Sequence, residues 1–343
     1  MVMLGIKLGP EEYPPVELLN YAVAAEQAGF DAIDVSDHFH PWSEFGQSCF
    51  TWAWLGAAAA RTTKIILGPG VTCPILRYHP AVIAQAAATI DNFAPGRTYL
   101  GLGTGEALNE YSATGVWPDY GDRQQMVQEA IELIRQLWSG GYVTFDGAFY
   151  STRKAKLYTP PKTTIPIIMS SLVPESASFA GTYGDGLFTV AGPDLSVIRE
   201  IVEKFEEGAS NAGKDPVSMP RMIELNVIYA SDTKEAIADF RKFWAGAIVP
   251  AMFNQNIYTP SMSEMNGSVV GDDTILKRLC VSDDPREHIQ YIQQFIDLGF
   301  THLYFHTAGH RQLDFIKSYA RDVLPAIRQG KKGAETGAEA TTA

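Results

Sequence analysis

Short β-rich runs alternate with longer helix-patterned stretches along almost the whole chain, and that rhythm constrains the fold more than any other feature. The apolar runs are Met3–Leu8, Ala32–Val35, Ile65–Leu67, Thr98–Leu102, Ile165–Met169, Gly186–Val190, Glu224–Tyr229 and Thr301–Phe305. Helical patterns fall between them, among them Pro15–Gln27, Pro80–Asn92, Arg123–Leu137 and Lys234–Trp244. Strands joined through helices pair in parallel, because a tight turn can only reverse the chain. Eight such units predict an α/β fold of the (β/α)8 TIM-barrel type, although a doubly wound open sheet shares the early part of the pattern. Residues 25–35 and 296–305 echo one another. Each leaves a helix through a glycine (Gly29, Gly299), enters a strand two residues later, and leads into histidine, at His38 and His306.

A length of 343 residues suits one such barrel, predicted over residues 1–328 as a single domain. Two insertions interrupt it. Residues 140–161 place Asp146 and Gly147 between aromatic, β-rich flanks, which predicts a hairpin. Residues 245–280 are rich in Met, Asn, Pro and Ser and are expected over the C-terminal mouth of the barrel. The tail 329–343 lacks large apolar residues and is expected to be disordered. A net charge of −12 argues against nucleic acid or an anionic membrane as partner. No apolar run is long enough to span a bilayer, and no signal segment is visible at the N-terminus. Cys49, Cys73 and Cys280 are scattered and odd in number, without metal-ligand spacing, as in a soluble cytoplasmic protein with reduced thiols and no metal.

The chemistry-bearing residues cluster where a parallel barrel presents its loops, at the C-terminal strand ends. Asp37, His38, His40 and Trp42 follow the second strand. An imidazole there can take a hydroxyl proton; a loop cluster that caps the next helix has the same composition. Adjacent residues on an extended chain point opposite ways, so Asp37 and His38 need not touch. After the fourth strand, Gly101, Gly103 and Gly105 alternate and are followed by Glu106 and Asn109. Alternating glycines let backbone approach a flat ligand or a phosphate, or mark a tight turn before a helix. Residues 68–74 mix glycine and proline at the end of the third strand, predicting a bulge or distorted peptide. His306 and His310 close the last strand and either face a substrate or serve the structure.

Four segments, taken in order, resemble the coenzyme F420-dependent branch of the luciferase-like superfamily: Ser36-Asp-His-Phe-His-Pro-Trp42, Arg77-Tyr-His-Pro-Ala-Val-Ile-Ala-Gln85, Gly103-Thr-Gly-Glu-Ala-Leu-Asn-Glu110 and Arg135-Gln-Leu-Trp-Ser-Gly140. The resemblance covers residues 3–328. It implies a luciferase-like TIM barrel, a homodimer, and a 5-deazaflavin held at the strand ends. It assigns His38 as base for a substrate hydroxyl, Glu106 as proton partner of the ring, and Trp42 as neighbour of the reacting centre. Asp37, Thr104, Gly105 and Asn109 are implied at the cofactor, together with a non-proline cis peptide at Gly70–Val71. Ser170 and Ser171 are the candidates for the cofactor's phosphate, because residues 169–175 lack the glycines expected there. The implied chemistry is hydride transfer between a carbinol carbon and C5 of the deazaflavin.

Two groups in that branch compete. Sugar-6-phosphate dehydrogenases hold their phosphate with two lysines and an arginine. Arg278 matches the arginine, Pro193 stands at the first lysine position, and residues 243–276 contain no Lys or Arg for the second. Residues 243–253 and 257–260 instead resemble the secondary alcohol dehydrogenases, with Trp244 in an aromatic, Met-lined mouth suited to a small alcohol or ketone. The first expectation is therefore an F420-dependent secondary alcohol dehydrogenase. A glucose-6-phosphate dehydrogenase is the alternative. An FMN-dependent monooxygenase and a non-catalytic deazaflavin-binding protein are more distant readings.

Overall fold

The computed structural model describes residues 2–249, 257–309 and 311–329. Eight parallel strands form the barrel: β1 (Met3–Leu8), β2 (Ala32–Val35), β3 (Ile66–Pro69), β4 (Leu100–Leu102), β5 (Ile167–Ser170), β6 (Gly186–Val190), β7 (Arg221–Tyr229) and β9 (His302–His306). They pair in the order β3-β2-β1-β9-β7-β6-β5-β4. The two ends meet at a seam of two isolated parallel bridges, Leu67 with Thr98 and Thr72 with Leu102, which nearly closes the barrel. A short strand, β8 (Cys280–Ser282), pairs with the end of β7 off the barrel path.

The helices pack outside: α1 (Pro15–Ala28), α2 (Thr51–Arg61), α3 (Pro80–Phe93), α4 (Ala107–Thr114), α5 (Tyr120–Trp138), α6 (Pro174–Tyr183), α7 (Leu195–Asn211) and α8 (Thr233–Trp244), then Pro260–Ser268, Asp272–Leu276, Pro285–Asp297 and Gln312–Asp322. Their starts follow local chemistry. Asp194, Asp232 and Asp284 accept hydrogen bonds from first-turn amides, while proline opens α1, α3 and α6. The strands are buried on both faces, so β1 and β2 do not alternate apolar with exposed polar residues, and even their charged residues Lys7 and Asp34 are buried.

The sequence echo corresponds to two like turns. Gly29 and Gly299 have φ of 90° and 89°, and the amides of Phe30 and Phe300 reach back to Ala25 and Phe295. The strands they feed, β2 and β9, flank β1 on either side. Five strands are shifted from their expected bounds, β3, β4, β5, β7 and β9, and the starts of three of them show the local chemistry. Ile65 stays out of β3 because its amide donates to Glu26 Oε1 at 3.0 Å. Of residues 98–99, only Thr98 bridges the seam, so β4 begins at Leu100. β7 starts at Arg221, three residues earlier than its apolar pattern, because an arginine opens it. β8, which begins at the last residue of the stretch read as an insertion, has no sequence signal of its own.

Residues 140–161 form the hairpin, with antiparallel bridges from Val143 to Ala155 and from Asp146 to Ser151. Glu129 on α5 pins its tip, accepting from the amides of Ala148, Phe149 and Tyr150. The second insertion reaches across the strand C-termini. Glu44 Oε1 accepts from the amide and hydroxyl of Ser261 at 3.0 and 2.8 Å, and the Tyr258 ring lies 4.2 Å from that of Tyr111. Residues 250–253 of the aromatic, Met-lined stretch, His310 and the tail 330–343 lie outside the described residues.

Candidate active site

Because the strands run parallel, the loops after β2, β3, β4 and β5 gather at one face and enclose a cavity of about 900 Å³. That size suits a cofactor-bearing site. Asp37 and His38, Val71, Thr104 to Glu106, Asn109, Ser170 and Ser171 all contribute to its wall.

His38 is the centre of the polar part. Its Nδ1 lies 3.1 Å from Glu11 Oε1 and its Nε2 lies 3.7 Å from Glu106 Oε2. Burial, reinforced by the positive charges of Lys7 and Arg77, pulls its pKa down to about 3. The ring is therefore neutral near pH 7. Its Nδ1 side faces the buried Glu11 carboxyl and its Nε2 side faces Glu106. Trp42 is buried and meets the His38 ring edge-on at 5.0 Å, which fixes the imidazole plane. Burial, with the nearby carboxyls of Glu11 and Glu110, pushes Glu106 up to about 8, so it carries a proton at neutral pH. Asn109 ties the two loops together. Its Nδ2 donates to Glu106 Oε2 at 3.1 Å, and its Oδ1 accepts from the amides of Phe39 and His40 at 2.8 and 3.0 Å.

Asp37 belongs to a different cluster from its neighbour in sequence. Thr72 Oγ1 and Tyr78 Oη donate to its carboxylate, and Arg77 donates to its carbonyl at 2.8 Å. Arg77 also binds Glu110 through Nε at 2.8 Å. Burial raises the Asp37 carboxyl against the pull of Arg77.

The peptide between Gly70 and Val71 is cis. Lys7 Nζ donates to the Gly70 carbonyl at 2.8 Å, and a side chain at Gly70 would meet the Asp34 carboxylate at 2.1 Å. The alternating glycines serve this seam as well as the cavity, whose wall includes Gly103 and Gly105. A Cβ at Gly101 would meet the Pro69 carbonyl at 2.1 Å, one at Gly103 the Val71 side chain at 2.9 Å, and one at Gly105 the Cys73 thiol at 2.6 Å. Their smallness lets β4 close against the strand that carries the cis peptide.

The remaining candidates scatter. Ser171 spends its amide on the Phe188 carbonyl and its hydroxyl on Val173 and Ser176. Trp244 is not among the lining residues; it is buried, donates Nε1 to Glu12 Oε1 at 2.9 Å, and lies 4.3 Å edge-on to His306. His306 is buried in the barrel, 2.8 Å from Asn226 and 3.3 Å from Glu224. Arg278 is half-buried and has no acidic partner among the described residues; burial alone lowers its pKa. Glu11 and Glu12 were missed by sequence reasoning. The available signal was two adjacent acids three residues beyond a buried strand, in the first C-terminal loop.

Residues 2–302 match the luciferase-like monooxygenase family. The chain belongs to that family. It is 39% identical over 330 residues to an F420-dependent glucose-6-phosphate dehydrogenase of Mycolicibacterium gilvum, covering 95% of this chain and 98% of the relative. The corresponding protein of Nocardia farcinica is 40% identical over 329 residues, with the same coverage. Among solved structures, an F420-dependent secondary alcohol dehydrogenase in complex with an F420–acetone adduct superposes with a TM-score of 0.91. It is 38% identical and covers 95% of this chain and 99% of its own. The F420-dependent tetrahydromethanopterin reductase of Methanopyrus kandleri, at 22% identity and a TM-score of 0.77, shares the fold. The luciferase-like barrel expected from the four segments is the barrel observed.

Proposed function

We propose that this member of the luciferase-like family is a coenzyme F420-dependent dehydrogenase of secondary alcohols, reversible with the corresponding ketone. That it is an F420-dependent oxidoreductase accords with relatives so named at 38–40% identity over nearly the whole chain. The observation that carries the chemistry is the neutral His38, 3.7 Å from a protonated Glu106 on the wall of one cavity.

The residues present fit a deazaflavin. Val71 offers an apolar wall beside the cis peptide, Thr104, Gly105 and Asn109 a polar edge, and Glu106 an exchangeable proton. Gly70 and Asp37 hold that wall from behind, and Ser170 and Ser171 border the cavity further on. When bound, the cofactor supplies the acceptor for a hydride from the carbinol carbon. His38 Nε2 takes the hydroxyl proton of the alcohol while Glu11 steadies the imidazole through Nδ1. Glu106 holds a proton at its carboxyl for the opposite partner. Trp42 keeps the imidazole in plane and excludes water beside it.

For the substrate, the absence of Lys and Arg from residues 243–276 favours a small neutral alcohol. Each charge-assisted contact to a phosphate contributes about 1.5–3 kcal/mol, so two missing lysines weaken a sugar phosphate severely. The second reading, a glucose-6-phosphate dehydrogenase, is favoured by Arg278, a half-buried cation with no acidic partner among the described residues. Purified protein loaded with oxidised F420 and given 2-propanol or glucose 6-phosphate in parallel separates them through loss of deazaflavin absorbance. Bleaching by 2-propanol alone supports the first reading; bleaching by the sugar phosphate alone replaces it with the second. The proposal includes a homodimer, which light scattering checks.

A further inference from the structure

The cavity wall carries one cation among its described lining residues, Arg123, and the chemistry at His38 does not use it. Arg123 lies in the first turn of α5 and is only 7% exposed. Its guanidinium stacks on the Trp117 ring at 3.8 Å, and Nη1 donates to the Pro118 carbonyl at 2.6 Å. Nε is buried without a hydrogen-bond partner, and no carboxylate lies within ion-pair distance among the described residues. Burial lowers its pKa, against smaller opposing pulls from Cys73, Tyr120 and Asp119. A buried arginine held flat on an indole and left without an acid is arranged for an anion that arrives from outside.

The five carboxyls on the same wall do not fill that role. Arg77 neutralises Asp37 and Glu110, Glu106 is protonated at neutral pH, and Asp119 and Glu175 are exposed to solvent, where salt screens them. Of the two serines expected to hold an anion, Ser171 is a weak competitor, since its amide and hydroxyl are already bonded within the protein.

We propose that Arg123, braced by Trp117, is the anion-binding residue of this cavity and grips the phosphodiester in the side chain of F420. The proposal rests on the cofactor assignment above and adds the residue that separates F420 from its phosphate-free precursor. Arginine matches two phosphate oxygens with a planar fork, while the stack on Trp117 holds the fork in place before the ligand enters. Recognition of the chromophore ring is left to the loops after β2, β3 and β4.

The test is a fluorescence titration of the full chain with F420 and, separately, with the deazaflavin riboside that lacks the phosphodiester, at low and high salt. Arg123→Met is expected to weaken F420 binding by about tenfold to a hundredfold, the loss of one charge-assisted contact, and to leave the riboside unchanged. It also flattens the salt dependence, and Arg123→Lys recovers part of the affinity. Unchanged F420 affinity in Arg123→Met overturns the proposal. Equal weakening of both ligands also overturns it, because Arg123 would then only support the wall. If the wild-type chain binds neither ligand, the cofactor assignment falls and this proposal with it. If wild type binds both equally well, the assignment stands and the role of Arg123 alone is rejected.

Discussion

Two groups of ionisable side chains sit within this barrel, and they are built on opposite principles. Around Lys7 each charge meets its opposite: Asp34 at 3.0 Å and Glu224 at 3.4 Å, with His306 3.3 Å from the other Glu224 oxygen. Burial works against the Lys7 charge, yet Asp34, Glu224 and Glu11 outweigh it and raise its pKa. Glu224, buried likewise, is drawn down to about 2 by Lys7 and His306. At the cavity wall no lysine or arginine lies within ion-pair distance of Glu11 or Glu106 among the described residues. There burial wins: both carboxyls move up, Glu106 to about 8, and His38 moves down to about 3. The compensated cluster fixes shape through its ion pairs, while burial and the neighbouring Glu224 draw Asp34 up to about 7 against the pull of Lys7. An uncompensated one keeps neutral forms that exchange protons near working pH.

The largest effect tests the compensated cluster. Lys7→Met leaves Asp34 and Glu224 buried without their cation and frees the carbonyl of the cis peptide. We expect a loss of about 3–5 kcal/mol in urea denaturation, the usual consequence of removing one member of a buried pair. An unchanged midpoint refutes the idea that this cluster holds the barrel. His38→Asn makes the opposite demand. Turnover is expected to fall on the order of a hundredfold, with F420 affinity and thermal stability close to wild type. Equal turnover removes His38 as the base; a stability loss as large as that of Lys7→Met erases the distinction between the clusters.

The same distinction governs what the sequence made legible. Strands buried on both faces leave mostly apolar runs, interrupted by Lys7 in β1, Asp34 in β2 and Thr189 in β6, and these three strands stand at their expected residues. Four local motifs were enough for the barrel type, and those after β2 and β4 for the gathering of His38, Glu106 and Asn109, because each of these two follows a strand end that the fold brings to one face. Partnerships across the barrel were not legible. Nothing local says that Glu11 meets His38 or that Lys7 reaches Asp34, since these contacts join residues 27 positions apart through strand register. The glycines after β4 show the same limit, since Gly103 and Gly105 line the cavity and also face a neighbouring strand. Spacing alone does not distinguish closeness to that strand from closeness to a ligand.

Smaller effects sharpen the uncompensated side. With His38 neutral above about pH 3 and Glu106 protonated below about 8, kcat/KM for alcohol oxidation is expected to stay level from pH 5 to 7 and fall through pH 8. Glu106→Gln lowers turnover by roughly tenfold or more and removes that alkaline limb. An acid limb centred near pH 6.5 instead shows an ordinary histidine acting as base.

The smallest expected effect is on the stability of the cofactor-free chain. Glu106 has a folded pKa of about 8 against an ordinary value of 4.5, so the unfolded chain releases its proton first as pH rises. Its stabilising contribution is complete below about pH 4.5 and disappears as pH passes through about 8. Wild-type Tm is therefore expected to fall by a few degrees between pH 6 and 9, and Glu106→Gln, which cannot ionise, to fall less over the same interval. Parallel curves for the two proteins place the Glu106 proton elsewhere and reduce the cavity wall to another compensated cluster.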